Sequence, residues 1–286
     1  MHRIDSFDQI ATNYDGILFD AFGVLLDDKG ALPKAPSLLQ TLKQKHIPFW
    51  VLTNGSSKLE EKLASKYQGF GLDIKADQII TSGSLLARNR KALNLQGAKV
   101  SVLGTDDSVE YAKRAGADVV EPLAKIDFDA LIIANQTEYP LLDCLDWALS
   151  ESIKKIDRGD RLKIIITNPD LFYPKGAGEY GVTAGSLGLI LEESLKIRFG
   201  SLTGSFMVRL GKPFSPIFDA AIEIAKTKKL LMVGDQLQTD IAGANNYGIE
   251  SLLVTTGLTP ESMLNQIPKE LTPTFVASGL QWEVST

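Results

Sequence analysis

Short runs that are apolar on every residue alternate along this chain with segments of helical pattern. Runs such as GILF, III and LLMV suit strands buried on both faces of a parallel sheet better than edge strands that alternate in polarity. The alternation predicts an α/β fold built on a doubly wound parallel sheet. The predicted strands are Gly16 to Phe19, Phe49 to Leu52, Lys99 to Leu103, Leu131 to Ile133, Lys163 to Thr167, Leu230 to Val233 and Ser251 to Val254.

Helix signals fill the intervals between these strands. Ser57 with Glu60 three residues later forms a capping-box pattern, and Gly116 and Gly248 end two further helical segments. The sequence shows no linker rich in proline or serine, so we expect any second domain to be inserted into the first. Further predicted helices are Leu141 to Lys154, Ala184 to Lys196, Ser215 to Ala225 and Thr239 to Tyr247.

Composition restricts the classes of partner. The chain is 44% hydrophobic and 23% charged, with a formal net charge of -5, so it resembles neither a basic nucleic-acid binder nor a polybasic membrane protein. Cys144 is its single cysteine, which excludes an intrachain disulfide and suits a reducing compartment. Apolar runs are too short for a membrane span, and the first residues lack the apolar region of a signal peptide. We expect a cytoplasmic protein without nucleic-acid or membrane partners.

The most informative run is Ile17 to Leu26, where Asp20 directly follows a predicted strand. Ligands of open α/β sheets gather at the carboxyl ends of the strands. An aspartate in a helix cap or a turn is the alternative interpretation, but the apolar residues after Asp20 do not suit an exposed turn. We therefore expect Asp20 to lie in a functional site.

Side chains that can hold an anion occur at two other places. Thr53 and Asn54 follow a predicted strand and offer a hydroxyl and an amide to a phosphoryl oxygen. Lys212 lies in the sequence GKP ahead of a predicted helix, where a lysine can act as a point charge. Taken alone, a turn at Thr53 and Asn54 and a surface position for Lys212 are the simpler interpretations.

Two carboxylates follow the strand LLMV. Asp235 comes just after it, and Asp240 lies five residues later at the start of a predicted helix. Together with Asp20 they would form a cage of hard oxygen ligands suited to Mg²⁺. Acids that complement a helix dipole are the alternative, which explains Asp240 but leaves Asp235 without a role.

These four sets of residues occur in the order of the four motifs of the haloacid dehalogenase (HAD) superfamily, which the chain resembles. The segment Gly234 to Gly257, GDQLQTDIAGANNYGIESLLVTTG, is similar to the fourth motif of the class IIA phosphatases. That class contains para-nitrophenyl phosphatase, pyridoxal phosphatase and bacterial nucleotide phosphatases. ITNPD at Ile166 to Asp170 and GKP at Gly211 to Pro213 also match it. The resemblance covers nearly the whole chain and is weakest over residues 84–155.

The resemblance implies a Mg²⁺-dependent phosphatase. Its substrate would be a small phosphorylated metabolite, such as a sugar or nucleotide phosphate, and the reaction would pass through an aspartyl-phosphate. Asp20 would attack the phosphorus, while Thr53 and Lys212 would hold the phosphoryl group. The implied metal-site residues are Asp20, Phe22 through its backbone carbonyl, Asp235 and, as a buttress, Asp240.

A class IIA protein also carries a mobile cap domain inserted between its second and third motifs. The expected core domain is residues 1–83 and 179–286, and the expected cap is residues 84–178. The resemblance further implies that the cap mediates a homodimer. Beside Asn54, the residues expected to face the substrate are Asn168, Asp170 and Tyr173.

Position 22 departs from the pattern of these phosphatases, which usually carry a second aspartate there as general acid and base. Phe22 cannot transfer a proton, and general acid–base catalysis typically contributes about 10² to 10⁴ in rate. One alternative is therefore a catalytically weak phosphate- or metabolite-binding protein. Another is a haloacid dehalogenase, since DAFG resembles the nucleophile segment of those metal-independent enzymes. Asp235 favours the phosphatase, because a metal-independent displacement has no use for it.

Two glycine motifs do not indicate nucleotide binding. GAGEYG at Gly176 to Gly181 has the spelling of a dinucleotide fingerprint but lies nine residues after its strand, where we expect a flexible return from the cap. GKP lacks the glycine spacing of a P-loop. His2 and His46 lie away from every motif, so we expect no catalysis by histidine.

Overall fold

The computed structural model describes residues 1–282. Its strands are β1 (His2–Arg3), β2 (Gly16–Phe19), β3 (Phe49–Thr53), β4 (Ile79–Thr81), β5 (Lys99–Leu103), β6 (Asp118–Val120), β7 (Ala130–Ile133), β8 (Lys163–Ile166), β9 (Phe172–Gly176), β10 (Glu179–Val182), β11 (Met207–Arg209), β12 (Leu230–Gly234), β13 (Glu250–Val254) and β14 (Phe275–Ala277). Its α-helices are α1 (Asp8–Ala11), α2 (Ala35–Gln44), α3 (Glu60–Gly69), α4 (Leu85–Arg88), α5 (Arg90–Leu93), α6 (Asp106–Arg114), α7 (Leu141–Asp157), α8 (Ala184–Phe199), α9 (Ser215–Ala225) and α10 (Ala242–Tyr247). A π-helical turn, Leu237–Ile241, leads into α10.

The chain divides into two compact units. Unit 1 comprises Met1–Thr53, Glu60–Ile80 and Lys212–Thr286, and unit 2 comprises Asn54–Leu59 and Thr81–Gly211. Each unit has a sheet and an apolar core of its own.

Unit 1 is built on a seven-stranded sheet with the order β1-β14-β13-β12-β2-β3-β4. The pairs from β1 to β3 are parallel, and the side chains of β2 are buried on both faces. From β2 the chain proceeds to β3 on one side, whereas β12, β13 and β14 lie on the other. Such a reversal of strand order is where open α/β sheets bind their ligands, at the carboxyl ends of the strands. The site is therefore expected beyond β2 and β12.

Unit 2 is built on a five-stranded parallel sheet with the order β11-β8-β7-β5-β6. A separate antiparallel hairpin joins β9 to β10. The core of the unit includes Phe128 and Ile164, with Leu187 and Leu191 from α8. The α/β fold class with parallel sheets predicted from the sequence is thus confirmed.

The boundaries of the units differ from those expected. The return to unit 1 was expected near residue 179, but the structure places it at Lys212. The physical reason is that α8 packs into the core of unit 2 and β11 pairs with β8, with Met207 opposite Ile164. The motif GAGEYG is not a flexible return, because it forms the turn and adjoining strand ends of the β9–β10 hairpin.

The expected capping box at Ser57 was also wrong. Helix α3 begins at Glu60, three residues after Ser57. The backbone carbonyl of Ser57 instead accepts a hydrogen bond from Thr105 Oγ1 at 2.8 Å within unit 2. Over residues 1–282, no helix combines the length and apolar character that crossing a membrane requires.

Candidate active site

Neighbouring strands bring Asp20 and Asp235 to one edge of the unit 1 sheet. Phe19 at the end of β2 is in register with Val233 of β12, and Asp20 N donates a hydrogen bond to Val233 O at 2.8 Å. Strand β3 pairs with β2 on its other side, with Val51 opposite Phe19, and ends at Thr53. Because parallel strands end at the same edge, the sheet places Asp20, Thr53 and Asp235 together.

Lys212 is buried between two carboxylates. Its ammonium Nζ lies 2.6 Å from Asp20 Oδ1 and 2.7 Å from Asp240 Oδ1, and only 2% of the residue is exposed. Burial by itself lowers the pKa of Lys212, but the charges of Asp20 and Asp240 outweigh it and raise the pKa above its usual value. Lys212 is therefore a fixed positive charge next to Asp20, and the surface position considered for it is wrong.

Asp240 supports the backbone after β12. Its Oδ2 accepts hydrogen bonds from Asp235 N and Gln236 N, both at 3.1 Å. These bonds join the residues just before the π-helical turn Leu237–Ile241 to Asp240 within it, and a π-helical turn is an irregularity common at functional sites. Since Asp240 Oδ1 also pairs with Lys212, this residue links the lysine to the Asp235 segment.

The two oxygens of Asp235 have different surroundings. Oδ2 accepts a hydrogen bond from Leu258 N at 2.7 Å, whereas Oδ1 is buried and has no hydrogen-bond partner among the described residues. Burial, together with the charges of Asp20 and Asp240, raises the pKa of Asp235 well above its ordinary value. An unpartnered buried carboxylate oxygen is costly unless a cation or another ligand satisfies it.

Two glycines make room for Asp235. A Cβ at Gly257 or at Gly23 would overlap its carboxylate. Gly23 also has a φ of +75°, a conformation that side-chain-bearing residues rarely adopt. The loop of Gly23 is joined to that of Gly257 by a hydrogen bond of 2.6 Å from Thr256 Oγ1 to Gly23 O.

The donor set fits a divalent cation. Asp20, Asp235 and Asp240 are all buried, and each offers an oxygen that lies within 4.8 Å of those of the others. The group contains three carboxylates and one ammonium, so the ionised site has an excess of negative charge that a cation would neutralise. Carboxylate oxygens in this number are ligands that Mg²⁺ or Ca²⁺ accepts.

Phe22 lies in the turn that follows Asp20. The residue is 39% exposed, and the turn is closed by hydrogen bonds from Gly23 N to Leu26 O and from Leu25 N to Ala21 O. The position two residues after Asp20 is therefore occupied by a neutral aromatic ring. Phe22 remains a predicted metal ligand through its carbonyl oxygen.

The other expected substrate residues all lie in unit 2. Asn54 Nδ2 donates a hydrogen bond to Asp170 Oδ1 at 2.8 Å, and Asn168 Oδ1 accepts one from Asp170 N at 3.0 Å. Tyr173 is partly exposed on β9. The structure thus brings Asn54, Asn168 and Asp170 together, while their contact with a substrate stays a prediction.

Tyr67 is a neighbour of the site that sequence reasoning missed. It is buried on α3 in unit 1, and burial followed by the charge of Asp20 raises its pKa, although Lys212 opposes this. Its segment EKLASKY carries no motif, so the sequence offered only a helical pattern. The backbone N–H of Leu258 was missed as well, because its role depends on the path of a loop.

Comparison with known proteins indicates the family of the chain. A family model described as haloacid dehalogenase-like hydrolase matches residues 17–118, and a second, described as HAD-hydrolase-like, matches residues 209–282. An acid sugar phosphatase of Staphylococcus haemolyticus is 27% identical over 275 residues, covering 96% of both chains. The 5'-nucleotidase YutF of Bacillus subtilis is 29% identical over 275 residues, covering 94% of this chain and 97% of its own.

A solved structure shows the same fold. The crystal structure of a "possible sugar phosphatase, HAD superfamily" from Cytophaga hutchinsonii superposes with a TM-score of 0.85 at 29% identity, and covers 99% of this chain and 100% of that one. The chain belongs to the haloacid dehalogenase-like hydrolases. Within them it belongs to the class IIA phosphatases.

Proposed function

We propose that this phosphatase hydrolyses a sugar or nucleotide monophosphate with Mg²⁺ as cofactor and Asp20 as nucleophile. The observation that carries the proposal is the buried group of Asp20, Lys212, Asp235 and Asp240 at the reversal of strand order in unit 1. A fixed ammonium beside an aspartate at this position suits phosphoryl transfer, which depends on positioning and charge neutralisation.

The chemistry of the chain's own residues follows from their placement. A carboxylate oxygen of Asp20 forms a bond to phosphorus while the bond from phosphorus to the leaving oxygen breaks. A water oxygen then forms a bond to phosphorus while the bond from phosphorus to the Asp20 oxygen breaks, which releases inorganic phosphate and regenerates the Asp20 carboxylate. Over the two steps, one proton of this water stays on the phosphate, and the other balances the proton that the leaving oxygen takes up from solvent. We propose that Lys212 and the Thr53 hydroxyl hold the phosphoryl oxygens during both steps.

Asp235 and Asp20 are the residues that would hold Mg²⁺. Asp235 Oδ1, which has no hydrogen-bond partner among the described residues, supports this assignment. Bound there, the cation would neutralise charge and let an anionic phosphate approach Asp20. Asp240 keeps Lys212 and the Asp235 backbone in place through the bonds described above.

The substrate class rests on the relatives. The proteins of Staphylococcus haemolyticus and Cytophaga hutchinsonii carry sugar phosphatase names, and that of Bacillus subtilis a nucleotidase name. A sugar phosphate or a nucleoside monophosphate is therefore the natural first choice for a substrate screen.

Position 22 supports a second candidate function. An exposed phenylalanine two residues after the nucleophile offers no proton to a leaving group and no base to a water molecule. The alternative is a protein that binds phosphorylated metabolites and turns them over slowly. Under this alternative, tight binding of a sugar phosphate would accompany a rate close to the uncatalysed one.

A panel of sugar, nucleotide and aryl phosphates with Mg²⁺ tests the proposal through release of inorganic phosphate. We expect release by the wild type and none above background by Asp20→Asn. Asp28→Asn is the matched control, since Asp28 is an exposed aspartate of the same unit. Equal activity of wild type and Asp20→Asn would contradict the proposal.

A further inference from the structure

The chain passes between the units next to two residues of the proposed site. We call each point where the chain crosses from one unit to the other a passage. Thr53 is the last unit 1 residue before the first passage, and Lys212 is the first unit 1 residue after the last passage. The adjoining residues on the unit 2 side are Asn54 and Gly211. Their positions in unit 2 therefore bear directly on where Thr53 and Lys212 can lie.

Asn54 and Gly211 contact each other within unit 2. The Asn54 amide lies so close to Gly211 that a Cβ on that residue would overlap Oδ1, with Cγ only 2.9 Å away. Ser82, which follows another passage by two residues, donates a hydrogen bond from Oγ to Asn54 O at 2.5 Å. The buried Asn54 thus connects its own segment with those of Ser82 and Gly211, and each of these segments lies next to a passage between the units.

Asp170 fixes the orientation of the Asn54 amide. Its Oδ1 accepts the hydrogen bond of 2.8 Å from Asn54 Nδ2, so the Asn54 Oδ1 atom is turned toward Gly211. The backbone of Asp170 is itself held at both ends, because its N–H donates to Asn168 Oδ1 at 3.0 Å and its carbonyl accepts from Thr183 Oγ1. We refer to Asn54, Ser82, Asp170 and Gly211 as the Asn54 cluster.

Further hydrogen bonds hold the segment that follows Asn54. Ser56 Oγ donates to Ala134 O at 2.6 Å, and Thr105 Oγ1 donates to Ser57 O at 2.8 Å. Tyr111 contributes a bond of 2.8 Å from its hydroxyl to Lys58 O. Because so many groups of unit 2 fix this segment, Asn54 has little freedom to move independently of it.

We infer that Asp170 is a positioning residue for catalysis, acting through Asn54 on the adjoining Thr53 and, through Gly211, on Lys212. The inference rests on the proposed roles of Thr53 and Lys212 as the groups that hold the phosphoryl oxygens. A carboxylate in direct contact with a phosphate dianion would repel it, whereas a carboxylate that accepts the Asn54 amide orders the chain without that cost. The requirement at position 170 is therefore a hydrogen-bond acceptor and not a negative charge.

The test compares Asp170→Ala with Asp170→Asn, which keeps an acceptor oxygen but removes the charge. Hydrolysis of para-nitrophenyl phosphate with Mg²⁺ gives kcat and KM, and calorimetry gives the affinity for inorganic phosphate. A misplacement of about 1 Å commonly costs on the order of 10²-fold in rate, so we expect kcat/KM to fall by about 10- to 100-fold in Asp170→Ala. Asp170→Asn should stay within about threefold of the wild type.

Phosphate affinity is the readout that a purely structural role would not change. It should weaken in Asp170→Ala and be retained in Asp170→Asn, while both variants keep the circular dichroism of the wild type. Removing Asn54 should make Asp170 irrelevant, so Asp170→Ala should have no further effect in an Asn54→Ala background. Asp160→Ala, which removes an exposed carboxylate of unit 2, is the control with unchanged activity.

Two results would overturn the inference. Loss of activity in Asp170→Asn as large as in Asp170→Ala would mean that the carboxylate itself acts on the substrate or on a proton. Independent, additive effects of the Asn54 and Asp170 substitutions would mean that the two residues are not coupled. A wild type without hydrolytic activity would contradict the proposed function. The phosphate affinities of the same variants would then still test whether Asp170 positions the groups that bind phosphate.

Discussion

Asp235 is the side chain of the site whose negative charge is least compensated by its surroundings. It is buried beside two other carboxylates, and one of its oxygens has no hydrogen-bond partner among residues 1–282. A residue placed in this way is unfavourable in a metal-free protein and favourable once a cation is present. The position of this buried carboxylate is thus better explained by cation binding than by a contribution to the stability of the fold.

Replacing Asp235 by asparagine should separate those two effects. We expect Asp235→Asn to bind Mg²⁺ more weakly than the wild type by calorimetry, because it loses a charged ligand. Without metal the same variant should unfold at a higher temperature than the wild type, since a buried charge next to like charges is removed. Unchanged Mg²⁺ affinity would remove Asp235 from the metal site.

We expect the neutral side chain of Phe22 to make the rate of hydrolysis depend on the leaving group. If no acid acts at this position, wild-type hydrolysis should be much faster for aryl phosphates, whose leaving group needs no proton, than for alkyl phosphates such as sugar phosphates. Phe22→Asp should raise the rate for a sugar phosphate more than for para-nitrophenyl phosphate, by up to about 10² to 10⁴. Rates for both substrates at one pH, in wild type and variant, provide the measurement.

The outcome that contradicts this prediction is specific. Equal wild-type rates for the alkyl and aryl phosphates would show that another residue supplies the proton. A Phe22→Leu variant is the control, because it changes the ring without adding a carboxyl group.

Sequence reasoning located the charged residues of the site better than their environment. The position of Asp20 and Asp235 after apolar strands was enough to predict that they meet, because strands of a parallel sheet end at one edge. The burial of Lys212 between Asp20 and Asp240 depends on the fold of segments distant in sequence, so the residue alone favoured the surface.

At the level of elements, a glycine loop determines how closely the chain approaches Asp235. Leu258 N reaches Asp235 Oδ2 only because Gly257 carries no side chain. The hydrogen bond from Thr259 N to Asp235 O, at 3.1 Å, fixes the same loop on the backbone. The loop and the turn after β12 therefore form one structure around the carboxylate.

Gly257→Ala should displace the Asp235 carboxylate and weaken Mg²⁺ binding, because the new methyl group would overlap it. Gly279→Ala is a matched control, since its Cβ would meet Thr256 Cγ2 at an ordinary 3.6 Å. Calorimetric Mg²⁺ affinity of both variants, with thermal unfolding to check the fold, makes the comparison. Equal affinities would contradict the described approach of this loop.

Elements with a strong local pattern were predicted and short ones were not. Helix α9 has the predicted bounds, and α7 and α8 begin where predicted, because apolar periodicity and length mark them. Strands β6 and β11 have three residues each, too few to show a period. The hairpin β9–β10 has mostly exposed residues on both strands, so it lacks the buried runs that marked the other strands.

For the whole molecule, the division into units could be predicted only in part. An insertion followed from the missing linker. Its end at Gly211, however, depends on the pairing of β11 with β8, whose residues lie 43 positions earlier in the sequence. Pairing over such a distance leaves no local signal. Residues 179–211 were therefore assigned to the core domain, although they belong to unit 2.

The pH dependence of stability reports the charge state of the site in the intact chain. Asp235 has a folded-state pKa above its unfolded value of about 3.9, so its contribution to stability is greatest below that value and is lost as pH rises through the folded pKa. In EDTA, the excess of unfolding free energy of Asp235→Asn over wild type should grow as pH rises from about 4 toward neutrality. Urea unfolding at several pH values checks this, and a constant difference would contradict it.

The most direct test of the account is to trap the phosphorylated enzyme. Wild-type protein mixed with Mg²⁺ and an aryl phosphate, quenched in acid during turnover and reduced with borohydride, should contain homoserine at position 20, which mass spectrometry of peptides can locate. Asp20→Asn, treated in the same way, should contain none. Turnover without modification of Asp20, or modification of another aspartate, would contradict the assignment of Asp20 as the nucleophile.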